Sequence, residues 1–86
     1  MREKVRTRAY IMSVHAEEEM SNDDLTIFDV EHCILTGEIA ERQRDLNTGE
    51  WKYLVKGVSI TGANIHTVTK ISVTGKLVFI TVFAHL

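Results

Sequence analysis

Apolar positions near the start of the chain recur at helical spacing. Ala9, Met12, Ala16 and Met20 fall three, four and four apart, which places them on one helix face. Arg8, Glu17, Glu18 and Glu19 fall largely elsewhere. The pattern predicts a helix over 3–21, with residues 1–8 expected to fray. The Ser21-Asn22-Asp23-Asp24 cluster then favours a turn or a cap. A second helix is predicted over 27–36. Thr26 followed by Asp29 fits an acidic variant of the capping box, and Ile27, Val30 and Ile34 form the apolar stripe, with Cys33 and Leu35 nearby. Gly37 is a fitting stop, because glycine tolerates positive φ.

After Gly37 the period changes. A first strand is predicted over 38–45, with Ile39 its clearest apolar member. Asn47-Thr48-Gly49 supplies a turn. Over 50–58, Trp51, Tyr53 and Val55 alternate with Lys52, Leu54 and Lys56. Thr61-Gly62 marks the next turn. Over 64–73, Ile65, Thr67, Thr69, Ile71 and Val73 oppose His66, Val68, Lys70 and Ser72. Thr74-Gly75-Lys76 is the third turn, and 77–84 is almost wholly apolar, as an internal or doubly covered strand would be. The expected fold is α+β in the order ααββββ. Two N-terminal helices pack on one face of a four-stranded antiparallel meander and bury Met12, Ala16, Met20, Val30 and Ile34. The opposite face is left open or used for binding.

Composition narrows the class. The chain has 86 residues, 44% hydrophobic and 26% charged, with no proline. One domain over 1–86 is therefore expected, since a second could not bury its own core. The longest stretch without a charge, residues 57–69, is too short and polar to span a bilayer, which needs roughly 20 apolar residues. No basic start followed by an apolar run resembles a signal peptide. A lone cysteine, Cys33, excludes an internal disulfide and fits a reducing cytoplasm.

The net charge of −2 conceals an asymmetry. Residues 9–31 carry seven acids and no lysine or arginine, whereas residues 51–86 carry four lysines and no acid. An acidic helical side and a mildly basic sheet follow. A basic face attracts an anion such as RNA phosphate, although four lysines over a run of strands is also ordinary decoration.

Candidate chemistry is diffuse. His15, His32, Cys33, His66 and His85 lack the close pairing of a structural zinc site, so no metal or other cofactor is assigned. No phosphate loop, nucleophile elbow or HExxH motif occurs. What remains is His15 on the first helix, Arg42 and Arg44 on the first strand, Lys56, His66 and Lys70 on the middle strands, and Thr81 on the last. His66, Val68 and Lys70 share a strand face, so His66 and Lys70 can approach one ligand. Histidine moves protons near neutral pH, and lysine or arginine stabilises phosphate charge. This is a minimum kit for metal-free RNA cleavage. Each residue also has a plainer use: His15 hydrogen-bonded locally, His66 half-buried in a strand, Thr81 as β-branched filler.

The order of short motifs resembles the bacterial and archaeal domain-of-unknown-function family 4258. The resemblance rests on Ser13-Val14-His15-Ala16, Met20, Leu25-Thr26, Asp29-Val30-Glu31 and Leu35-Thr36-Gly37-Glu38-Ile39. Trp51 to Gly57, His66-Thr67-Val68 and Ile80-Thr81-Val82-Phe83 continue it, so that it covers about residues 10–83. Members are grouped by analogy with RelE-like small RNase toxins. The resemblance implies a toxin-like, metal-independent endoribonuclease of a toxin–antitoxin type system, or a degenerate relative. RNA would be its substrate and an antitoxin or other protein its partner. It gives His15 and His66 the acid and base roles, Lys56 or Arg42 a phosphate, and Thr81 a ligand contact; Lys70 joins the phosphate-binding set. Glu19 stands where the family has arginine, Ser21-Asn22-Asp23 replaces an arginine-glycine step, and Phe83 replaces a tyrosine. Glu19 and Phe83 favour the alternative, a non-catalytic binding or regulatory module of the same fold, with a homodimer as one form.

Overall fold

The computed structural model describes residues 2–7, 9–72 and 74–84. Its elements are α1 (Arg2–Arg6), β1 (Tyr10–Met12), α2 (Val14–Asn22), α3 (Ile27–Thr36), β2 (Glu38–Arg44), β3 (Trp51–Val58), β4 (Asn64–Ile71) and β5 (Leu77–Ala84). The fold is α+β, as the sequence implies, and β2 to β5 form the expected antiparallel meander. Val73 and His85 lie outside the described residues.

The start of the chain differs from expectation. The helix predicted over 3–21 is two helices separated by a strand. Tyr10, Ile11 and Met12 pair in parallel with Leu77, Val78 and Phe79, making a mixed five-stranded sheet of order β1-β5-β4-β3-β2. The helical spacing of Ala9 and Met12 with Ala16 loses to this pairing, a case of tertiary contact overriding a local pattern. Ser13 enforces the break. Its backbone is extended, its N–H donates to the Phe79 carbonyl at 3.0 Å, and its hydroxyl oxygen accepts from the Ala16 N–H at 3.0 Å. One residue thus ends the β1 ladder and caps α2. Met12, Ala16 and Met20 still pack into the core or against it, whereas Ala9 is exposed. Val5 of α1 is buried at 1% exposure.

The helix over Ile27–Thr36 matches its predicted limits. The Thr26 hydroxyl accepts from the Asp29 N–H at 3.3 Å, and Asp29 Oδ2 accepts from the Thr26 N–H at 2.9 Å, completing the capping box. The other Asp29 oxygen accepts from the Ile60 N–H at 3.1 Å. The carbonyl of Val58 can only accept, so His32 Nδ1 donates to it at 2.9 Å. Asp29 and His32 therefore fasten α3 to the β3–β4 hairpin.

Gly37 is needed for a different reason than the one expected. Its φ is −85°, an ordinary value. A Cβ there would instead run into the carbonyl oxygens of Lys56 and Cys33 and lie 2.9 Å from Gly57 Cα. A Cβ on Gly57 would strike the Cys33 carbonyl and come within 3.0 Å of Cys33 Cα and Sγ. The two glycines let the end of α3 rest on the β3 backbone. Beneath it Cys33 is fully buried, its thiol donating to the Ile65 carbonyl at 3.6 Å, and burial pushes its pKa up.

All three helices cover one sheet face. Val55, Ile65, Thr67, Thr69, Leu77, Phe79 and Val82 are buried there, with Val30, Cys33 and Ile34 of α3 and Ala16 and Met20 of α2. None of the described helices covers the other face.

Gly57→Ala should therefore destabilise the fold by about 1–3 kcal/mol, because the added carbon meets backbone that cannot rotate away. Urea denaturation measures it. Asp29 gives a pH signature. The Thr26 N–H is the largest influence holding its carboxyl below the ordinary 3.8, with the Ile60 N–H adding to it. A lowered folded pKa contributes stability above the unfolded value that is lost as pH falls through it. The stability gap between wild type and Asp29→Asn should be widest at neutral pH and shrink below about pH 4, read from urea melts at pH 7 and pH 3.

Candidate functional site on the open sheet face

Counting outward from the Thr61-Gly62 turn, the β3–β4 register sets Lys56 beside His66, Leu54 beside Val68, and Lys52 beside Lys70. Directly opposed residues in an antiparallel pair stand about 4.5–5.5 Å apart, so each couple can address one ligand. All six side chains face away from the helices. On the far side of β4, Phe83 is the register partner of His66 and Thr81 that of Val68. The Phe83 ring meets the His66 ring edge-on, with centroids 5.1 Å apart. Lys56, His66, Lys70 and Thr81 are thus brought onto one surface.

Two β-bulges decide which candidates belong there. Simple alternation from Leu77 and Phe79 would turn Thr81 toward the helices. The register shift between Val68 and Thr69 skips Ile80 and carries Thr81 to the open face. The shift between Ile39 and Glu41 has the opposite effect on β2. Simple alternation would set Arg42 beside Glu38 on the open face. Instead Arg42 pairs with Tyr53 and Arg44 with Trp51 on the helix side, while Glu41 and Gln43 lie beside Leu54 and Lys52 on the open face. Arg42 therefore does not join Lys56 and Lys70.

His15 stands apart from His66. It is 66% exposed on α2, with Nε2 3.2 Å from Glu19 Oε1. Glu19 also has a backbone partner: the same oxygen accepts from the Val82 N–H at 3.2 Å. Asp23 accepts from the Ala84 N–H at 3.1 Å, and the Ser13 hydroxyl donates to the Ile80 carbonyl at 3.0 Å. These three side chains occupy the edge of β5 where β1 ends, replacing a neighbouring strand.

Between Lys56 and His66 lies a shallow hollow of about 230 Å³, lined also by Gly57, Val58 and Asn64. It can hold a phosphate with its sugar, with an imidazole and an ammonium at its rim. Lys70 is partly neutralised by Glu50, 3.5 Å from its Nζ. Sequence reasoning did not single out Lys52, Glu50 or Asn64, although the hairpin register alone locates Lys52 and Asn64. A larger groove of about 610 Å³ lies between α1, α3 and β2, over Ile34, Ile39 and Val55, and holds none of the candidate residues. Among the described residues, no three His, Cys, Asp or Glu side chains gather to hold a metal ion, and no helix is long and apolar enough to cross a membrane.

No curated protein and no solved structure matches the chain. A family model, the Domain of unknown function (DUF4258), matches residues 12–84. That span runs from the last residue of β1 to the end of β5. It includes the Ser13 cap, the Thr26–Asp29 capping box, the Gly37–Gly57 contact and the whole β2–β5 meander. The chain therefore belongs to the DUF4258 family.

Proposed function

We propose that the chain acts on RNA through the open face of its sheet, as a toxin-like endoribonuclease that uses no metal. The observation that carries this reading is the cross-strand pair of Lys56 and His66 at the hollow, with Lys52 and Lys70 continuing the cationic line. In this reading a ribose and its 3′-phosphate enter the hollow. His66 takes the proton of the 2′-hydroxyl, whose oxygen attacks phosphorus. The Lys56 ammonium stabilises the charge that builds on the phosphate oxygens. The 5′-oxygen leaves with a proton returned from solvent, giving a 2′,3′-cyclic phosphate and a 5′-hydroxyl. Thr81 and Asn64 contact the ligand, and Lys70 holds a neighbouring phosphate. His15, tied to Glu19 on the helix side, takes no part in proton transfer.

A second reading has its own support. Phe83 stands beside His66 where the family's tyrosine would bring a hydroxyl, and His66 is the one histidine on the open face among the described residues. Such a surface suits a module that binds RNA or an antitoxin-type protein without cleaving it.

End-labelled RNA incubated with the protein in EDTA separates the two. Cleavage should persist in EDTA, fall about 10²-fold or more in His66→Ala, and stay within a few-fold of wild type in His15→Ala. Intact RNA with a folded wild-type sample would remove the nuclease reading and leave the binding module.

A further inference from the structure

A second cationic cluster lies on the helix side of the sheet, outside the site just described. The guanidinium carbons of Arg42 and Arg44 stand 5.6 and 5.7 Å from the centroid of the Trp51 ring. Both arginines are exposed, and Trp51 is 38% exposed. Neither guanidinium has a carboxylate partner among the described residues. The bulge in β2 creates the cluster, because it turns both arginines to the Trp51 side and leaves Glu41 on the other. The helices leave this corner uncovered: α3 ends over Val55 to Gly57, and Trp51 begins β3 beyond it.

We propose that Arg42, Arg44 and Trp51 form an anchor for single-stranded RNA, in which a base stacks on the indole and the two guanidiniums hold the flanking phosphates. An exposed guanidinium on an indole is a weak contact, and a nucleobase stacks on the same ring more strongly, so exchange is favourable. The displaced guanidinium keeps its planar fork of donors, which fits phosphate oxygens in pairs. Two unpaired cations around one aromatic plate suit a strand that alternates phosphates with flat bases. The inference rests on the RNA reading above and gives the strand a path around the β2–β3 edge, from the lysines of the open face to this anchor.

Trp51 is the only tryptophan in the chain, so its fluorescence reports on the anchor alone. The probe is a fluorescently labelled 2′-O-methyl uridylate decamer, which has no 2′-hydroxyl to react. Anisotropy reads total binding, and Trp51 emission reads the anchor. The decamer should quench Trp51 to saturation. Arg42→Gln combined with Arg44→Gln should weaken binding about tenfold and lower the log–log salt slope by about 1.4, two phosphates' worth for a single strand. Lys56→Gln should weaken binding of the decamer while Trp51 is still quenched to the same extent at saturation. Decamer binding with unchanged Trp51 emission and no effect of the double variant would overturn the anchor and leave the open-face reading standing. Trp51 quenching by a protein that cleaves no RNA would support the anchor while the nuclease reading fails. A decaglutamate peptide quenching Trp51 as tightly as the decamer would overturn the anchor in favour of an acidic protein surface. No anisotropy change at low salt would overturn both readings.

Discussion

The end of α3 lies directly on the backbone of β3, and the arrangement of the molecule depends on that approach. Gly37 and Gly57 leave no carbon between the Cys33 carbonyl and the strand. Asp29 and His32 hold the other end of the helix to the hairpin that follows β3. With α3 seated so closely, its apolar stripe meets Val55, Ile65 and Thr67 from one side only. The same seating leaves the lysines and His66 on the far face and stops short of Trp51. A bulkier residue at either glycine would lift the helix from the core that it closes.

The two edges of the sheet are treated differently. The β5 edge is occupied along its length, first by β1 and then by side chains of Ser13, Glu19 and Asp23 that satisfy its backbone groups. Glu19 thereby has a reason to be an acid: an arginine could not accept the Val82 N–H. The β2 edge carries seven exposed residues and, among the described residues, has no strand beyond it. Its four charged residues, Glu38, Glu41, Arg42 and Arg44, are the kind that discourages strand-to-strand aggregation. The Arg42, Arg44 and Trp51 cluster belongs to this β2–β3 hairpin, whereas Lys56 and His66 pair across β3 and the central strand β4, on the opposite face of the sheet.

Much of the fold was readable from residue pattern. Thr26 and Asp29 located the start of α3, and turn glycines separated β2 to β5 at nearly the observed limits. β1 was not readable. Three residues with no flanking turn signal sit in an apolar spacing that suits a helix, and their partner strand is at the opposite end of the chain. The need for Gly37 was visible while its cause was hidden, since close packing against Gly57 is a tertiary fact. The candidate surface was legible as far as strict alternation holds. It placed His66 and Lys70 together, whereas Lys56 joins them only through the β3–β4 register that the structure supplies. The bulges at Ala40 and Ile80 break that alternation. They send Arg42 to the helix side and Thr81 to the open face, and no residue type at either position announces it.

We propose that RNA is met by the open face of the sheet, centred on Lys56 and His66. Backbone amide shifts of the ¹⁵N-labelled protein, followed while a non-cleavable single-stranded RNA is added, test it most directly. The largest changes should fall on Lys52, Lys56, His66, Lys70 and Thr81, with α2 and α3 unmoved. Changes confined to the helices, or to the groove over Ile34 and Ile39, would contradict it.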